Sequence, residues 1–388
     1  MARSSKSSGI IASQTTTLAQ ELKLQELRQA NANLARNLQR EREKKEDLVS
    51  AIHSAIDTAA AGLIIPRVPR PPIRFGNHGK EEVALISVSD LQLAKVTPTY
   101  NTEICERRME TYAEAINRIV NIQRSDHPVR DARIYLIGDI IEGELIFPHQ
   151  SYQIDAGLFT QLMVDAPRIL VNFVRSLLTT FRHIHVVAVE GNHGALGGPV
   201  RKQYNPETNA DKMVYRYMSA LMANEPRVSW QIAHRANEVA WYAVDYPFAP
   251  KRDHGVMIFH GHQIPNVGSA STGTIARRIW GYASGAIPEP FENVIFGHWH
   301  TPKYIPMNRV HVFCNGSVES TNIYAQERLS AIGQPVQLLA FMHPNRGVTA
   351  QYWVTLEKNP IFVEQGYDLP PPKAYAPVPM PEAFKEEK

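Results

Sequence analysis

Cysteine is nearly absent: the 388 residues include two, Cys105 and Cys314. Two thiols so far apart make no disulfide framework, so the expected compartment is a reducing one, the cytoplasm. Also missing is any apolar run of the roughly 18 residues that a membrane span requires, and no membrane partner is expected. The opening stretch MARSSKSSGIIASQTTT is basic and Ser/Thr-rich, but its short apolar patch cannot serve as a secretory core; a transit peptide stays open on composition. A strong charge of either sign is lacking too. Lys and Arg number 41 against 38 Asp and Glu, a net charge of +3, so nucleic-acid binding would need local basic clusters. Hydrophobic residues at 44 % and charged residues at 20 % fit a soluble globular chain with a sizeable core.

The chain divides by composition. Residues 1–16 read as disordered. Residues 17–62 are almost free of Gly and Pro and rich in helix-forming Leu, Gln, Arg, Lys, Glu and Ala. A heptad frame places Leu24, Asn31, Leu38, Lys45 and Ile52 at one position and Leu27, Leu34, Glu41, Leu48 and Ala55 at the other. Two readings fit: a coiled coil that pairs two copies of the chain, with Asn31 fixing register, or one amphipathic helix packed on its own domain. A Pro-rich linker over 63–79 follows, then a domain over 80–358 and a Pro-rich tail over 359–388, extended or disordered.

Within 80–358 strands and helices alternate. EEVALISVSD, ARIYLIGD and HIHVVAVEGNH read as strands. Helices are expected over Glu103–Gln123, over the stretch GLFTQLMVDAPRILVNFVRSLLTTF with Pro167 near its middle, and around Asp211–Met222. The second half is strand-rich: VSWQIA, VAWYAVD, GVMIFHGH, NVIFGHWH, VHVFCNGS and TAQYWVTL. This order predicts an α/β sandwich of mixed sheets.

Five of these strands end in polar residues of one chemical kind. The tips carry Asp90 and Gln92, then Asp139, then Asn192 and His193, then His260 and His262, then His298 and His300. In open α/β sheets ligands gather at the carboxyl ends of strands, so the tips can converge. Carboxylate, amide oxygen and imidazole suit Mn²⁺, Fe or Zn²⁺, and no thiolate is among them. Asp139, on the Gly-flanked GDIIEG turn, could bridge two ions. His298 and His300 could serve one ion each.

The ordered set D-x-(H), GD, GNH, HGH and GHxH resembles the calcineurin-like metallophosphoesterases over roughly residues 83–320. Within that family the chain looks most like phage and bacterial DNA exonucleases related to the nuclease subunit of the double-strand-break repair complex. The resemblance implies a four-layer α-β-β-α sandwich and two divalent ions, Mn²⁺ first, with Mg²⁺, Fe or Zn²⁺ as alternatives. It implies Asp90 and His300 on the first ion, Asn192, His260 and His298 on the second, and Asp139 between them. His193 would face the phosphate and leaving oxygen, and Glu142 falls where many relatives carry a second aspartate. One departure stands out: the first motif reads Asp90-Leu91-Gln92, with a glutamine carbonyl as the implied ligand in place of imidazole. The implied activity is hydrolysis of a phosphodiester by a water activated between two metals, in the cytoplasm, or in a host's if the chain is phage-encoded.

For the substrate, the segment between the last two motifs carries Arg277, Arg278, Trp280 and Tyr282. Cations beside aromatic rings suit a DNA groove, and Arg201 and Lys202 could add to it. An ordinary amphipathic helix with two solvated arginines fits the same residues. Three functions follow: a DNA nuclease, with the N-terminal coil pairing two sites on one duplex; a small-molecule phosphodiesterase or phosphoprotein phosphatase; and a metal-binding scaffold of weak catalytic power.

Overall fold

The computed structural model describes residues 66–70 and 81–357, apart from 98, 145, 147–149, 197–207, 234–240, 266–270 and 321–333, and scattered positions between 29 and 60. The expected disordered start, every heptad position except Ala55, most of the 63–79 linker, Arg201 and Lys202, and the 359–388 tail lie outside the described residues. Two units are distinguished, Met1–Ala55 and Ile56–Lys388. In the first, the described positions are helical. The second holds two mixed sheets.

The first sheet has the order β11-β10-β1-β2-β3-β4. Its strands β1 (Glu82–Val88), β2 (Val129–Leu136), β3 (His183–Ala188) and β4 (Val228–Ile232) are parallel. β10 (Val336–His343) and β11 (Gly347–Thr355) add to it antiparallel. The second sheet has the order β5-β6-β7-β9-β8. There β6 (Val256–Phe259), β7 (Asn293–Phe296) and β9 (Val310–Cys314) are parallel, flanked by antiparallel β5 (Tyr242–Asp245) and β8 (Lys303–Met307).

The period of two along each strand assigns side chains to layers. Val83, Leu85, Tyr135 and Val187 of the first sheet meet Val256, Ile258, Ile295 and Phe313 of the second in one core between the sheets. Alternate residues Met257, Phe259, Val294, Phe296 and Val312 face outward and pack against Ile275 and Ile279. These belong to a helix, Thr272–Gly281, on the outer face of the second sheet. On the first sheet's outer side, Tyr112 stacks on Phe173 and its hydroxyl donates to the Leu338 carbonyl at 2.7 Å. β1 is therefore covered on both faces and entirely buried, as central parallel strands are.

Among the described residues, helices that flank the sheets are α1 (Thr102–Gln123), α2 (Ala166–Leu177), α3 (Ala210–Leu221) and α4 (Thr272–Gly281). Asn101 caps α1 by accepting the Ile104 amide at 2.9 Å. The long helix expected around Pro167 runs from Leu158 to Leu177 with right-handed backbone at each junction, and a π-turn at Gln161–Asp165 lies just before Pro167. The widened π-turn, in which the Ala166 amide donates to the Gln161 carbonyl, sits where proline brings no amide of its own. Strands β8 and β10 were not expected from sequence. β10 is buried at all eight positions, Gln337 and His343 included. Among the described residues no helix is long and apolar enough to cross a membrane.

Candidate metal centre

Both sheets contribute their carboxyl ends to one place. Asp90 follows β1, Asp139 follows β2, and Asn192 and His193 follow β3; His260 follows β6, and His298 and His300 follow β7. Each of these tips leaves a strand whose final residues are buried, so the polar side chains are anchored by the packed core. Five of these seven are buried, and His298 and His300 are half-buried.

The backbone here is unusual. Asp90 (φ 54°), Gln92 (44°), Asp139 (52°), His298 (70°) and His300 (51°) all adopt the left-handed region. That region is sparsely used by residues with a side chain and costs about 1–3 kcal/mol at each such position. Strain concentrated in this way marks a place where side-chain direction matters more than stability. Glycines permit the close approach of tips: a Cβ on Gly138 or on Gly191 would overlap the neighbouring turn, Gly191 against the Asp139 amide and carboxylate.

Four ligand atoms converge. His260 Nε2 lies 2.9 Å from Asp139 Oδ2, 3.1 Å from Asn192 Oδ1 and 3.2 Å from His298 Nδ1. The other ring nitrogen of His260 donates to the Ile137 carbonyl at 2.8 Å, which turns Nε2 into the cluster. Among the described residues, Asp139, His260 and His298 form a group whose ligand atoms all lie within 4.8 Å of one another. Donors about 3 Å apart are what an ion with ligands at about 2.0–2.2 Å requires of its neighbouring ligands. This position fits a divalent cation.

A second cluster adjoins it. His300 Nε2 lies 3.2 Å from Asp90 Oδ1, and its Nδ1 lies 3.2 Å from Glu319 Oε2. Both Asp90 oxygens accept the His298 amide, at 3.1 and 3.0 Å. Gln92 is placed here as expected, but not in the sense expected. Its Oε1 accepts from Lys95 Nζ at 2.6 Å, and its Nε2 faces His193 Nε2 and His300 Nε2 at 3.4 Å each. The carbonyl assigned as a ligand is thus turned away from the cluster.

His193 lies between the clusters, with Nε2 3.8 Å from Asp139 Oδ2. Its Nδ1 lies 3.1 Å from the Glu142 main-chain carbonyl and 3.1 Å from the Glu142 carboxylate. Its own amide donates to Asp139 Oδ1 at 2.7 Å.

The charges compensate one another. Burial alone would lower the pKa of His193, but the Glu142 and Asp139 carboxylates raise it to about 9. Against the same burial penalty, Asp139 raises His260 to about 9, and Asp90, with Glu319, raises His300 to about 10. Burial and the neighbouring His260 charge hold His298 well below its ordinary range. Burial pushes Asp139 up, yet His260 and His193 keep it well below the usual carboxylate range. Protons on imidazole thus supply the positive charge that these buried carboxylates demand, which is the role a cation fills.

Three participants were missed from sequence. Asp211, in the first turn of α3, accepts four main-chain amides: Asp139 and Gly191 at 2.9 Å, Ile140 at 3.1 Å and Ile141 at 3.4 Å. Burial, with the Asp139 charge, pushes its pKa up to about 6. Glu319 follows β9, and Lys95 lies three residues past Gln92. Burial favours the neutral Glu319 carboxyl, but Lys95 and His300 hold it down at about 2. Asp211 had one sequence signal, an acid in a helical first turn after a capping Asn209; Glu319 had the pattern of a polar residue past an apolar strand. Of the expected substrate residues, Arg277 and Trp280 are exposed on α4 and Arg278 is half-buried.

No family model matches the chain, and no curated protein matches it in sequence. Among solved structures it is similar to a novel archaeal phosphodiesterase, at 10 % identity over 70 % of this chain and 99 % of that one, with a TM-score of 0.33. A conserved Streptococcus pneumoniae TIGR4 protein described as a predicted phosphoesterase gives 11 %, 71 %, 98 % and 0.29 for the same quantities. Vps29 of Entamoeba histolytica, in complex with zinc, gives 10 %, 71 %, 99 % and 0.31. Likenesses this distant carry no argument about chemistry, which rests on the side chains described above.

Proposed function

We propose that this chain is a metal-dependent phosphodiesterase of the calcineurin-like kind, acting on DNA. One observation carries the reading: the meeting of Asp139 Oδ2, Asn192 Oδ1, His260 Nε2 and His298 Nδ1 at spacings of 2.9–3.2 Å around the His260 nitrogen. These four would hold the ion. Bound there, a divalent ion would polarise a phosphoryl oxygen and lower the pKa of the attacking water.

The chain's own residues do the rest. The contact of Nδ1 with the Glu142 carbonyl directs Nε2 of His193 toward the ligands. The Glu142 carboxylate, ahead of Asp139, raises the pKa of His193 and so favours the protonated ring that could give a proton from Nε2 to the leaving oxygen. Glu142 and Asp139 stabilise that charged form. DNA as substrate is supported by Arg277 and Trp280, exposed together on α4, a pairing of charge and ring suited to a nucleic-acid strand. Self-association through the N-terminal helix belongs to the same proposal. The turned Gln92 amide favours a second reading, a metal-binding scaffold with slow or no turnover.

The deciding experiment titrates Mn²⁺ against end-labelled single- and double-stranded DNA and a small aryl phosphodiester, with His193→Ala as control. Metal-dependent DNA cleavage that falls about 10²–10⁴-fold in the variant supports the nuclease. Turnover of the aryl ester alone moves the substrate to a small phosphodiester. No turnover of either, with metal bound, leaves the scaffold.

A further inference from the structure

The two clusters are not equivalent, and the difference lies in Lys95. Its ammonium is buried, with the side chain 11 % exposed, and it makes two contacts toward the centre. One is with Gln92 Oε1 at 2.6 Å. An ammonium can only donate, so the chemistry assigns oxygen to that end of the amide and N–H₂ to the end facing His193 and His300. The other is with Glu319 Oε1 at 3.1 Å, an ion pair that lacks the direction of a hydrogen bond. The remaining Glu319 oxygen meets His300 Nδ1 at 3.2 Å. The loop that brings Lys95 here alternates left-handed residues, Asp90, Gln92 and Ala94, and the Lys95 amide closes it on the Gln92 carbonyl at 3.1 Å.

An ion at the Asp90–His300 position would therefore meet an N–H₂ group where a ligand is needed, with a fixed positive charge beyond it. Charge balance points the same way. Asp90, Asp139 and Glu319 face the two positions, while Glu142 is paired with His193. Once a bound ion replaces the imidazole protons, Lys95 offsets one of those three negative charges and that single divalent ion balances the other two. Buried charges are tolerated when they are paired in this way.

We propose that the protein binds one divalent ion, held by Asp139, Asn192, His260 and His298, and that the Lys95 ammonium supplies the positive charge that a second ion would bring. The inference rests on the metal-binding part of the function proposed above and is independent of the substrate. Asp90 and His300 then serve as a polar wall, with Gln92 presenting a donor suited to a phosphoryl oxygen.

The test counts ions. The full chain, stripped of metal and equilibrated with Mn²⁺, is analysed by elemental mass spectrometry and by electron paramagnetic resonance. The expected result is one ion per chain with an uncoupled six-line spectrum. His260→Ala takes the count to zero, and His300→Ala leaves it at one. The pair of changes Lys95→Met and Gln92→His raises it to two, with an exchange-coupled spectrum. Two coupled ions in the unmodified protein, no ion at all, or loss of the ion in His300→Ala would each overturn the proposal. Should the double variant misfold, the unmodified protein and the two single variants decide alone. Because no substrate is present, a failure to hydrolyse DNA leaves this result untouched, and a wrong ion count leaves the activity to be judged separately.

Discussion

Asp211 Oδ2 accepts the main-chain amide of Asp139 at 2.9 Å, so an acid on α3 fixes the turn that aims a metal-site carboxylate. The same oxygen takes the Gly191 amide, also at 2.9 Å, and thereby joins the tips of β2 and β3. Burial near Asp139 raises the Asp211 pKa, but four amide donors reward its charged form.

Asp211→Asn puts an N–H₂ against amides that need an acceptor. Each buried donor left unpaired costs about 1–3 kcal/mol. The variant is expected to unfold at lower urea, read by circular dichroism, and to bind Mn²⁺ about 10–100-fold more weakly by calorimetric titration, the usual loss when a supporting group is removed. Unchanged metal affinity in a folded variant would remove Asp211 from the site's support.

Gly191→Ala forces a methyl into the Asp139 amide and carboxylate. A loss of about 1–3 kcal/mol or more is expected, as for other overpacked positions. Gly273 in α4 has nothing within 4 Å of an added Cβ. There, alanine should raise stability by about 0.5–1 kcal/mol, since glycine is the poorer helix former. Urea denaturation of both variants side by side checks the contrast.

A metal that binds only the folded chain stabilises it, by about 2.7 kcal/mol at a hundred times its dissociation constant. Chelation should therefore lower the melting temperature of the unmodified protein. His260→Ala should melt at the same temperature with or without Mn²⁺. Differential scanning fluorimetry with paired samples reads the effect, and a metal-dependent shift surviving in the variant would place the ion elsewhere.

The two thiols should be silent in the native protein. Cys105 and Cys314 are free and 0 % and 1 % exposed. Burial pushes Cys105 from 9.0 up to about 12, and burial raises Cys314 as well. Neither should react with a thiol-specific chromogen at pH 8 until denaturant is added. The folded pKa is the higher one, so the contribution to stability is whole below about pH 9 and is lost as pH climbs through 12. Rapid labelling without denaturant would contradict the burial of these residues.

Much of the site could be read from the chain because its strands are buried and its tips are polar. Asp90, Asp139, Asn192, His193, His260, His298 and His300 each follow an apolar run, and that contrast survives in sequence. Their left-handed backbone does not, since nothing local distinguishes Asp90 from an aspartate in an ordinary turn. Lys95 was in plain view in DLQLAK, yet only the folded loop decides that its ammonium seizes the Gln92 oxygen. Asp211 acts across 72 residues on Asp139, a relation set by the packing of α3 and by no sequence spacing.

The four proposed ligand atoms come in pairs, Asp139 and Asn192 from the sheet of β1 to β3, His260 and His298 from the sheet of β6 and β7. An ion held by all four is a clasp across the seam between two halves that otherwise meet through apolar side chains. Neither half carries a complete site, so metal affinity doubles as a gauge of how well the halves are docked. Substitutions in the shared core, at Leu85 or Ile258 for instance, should loosen the ion while leaving every ligand in place.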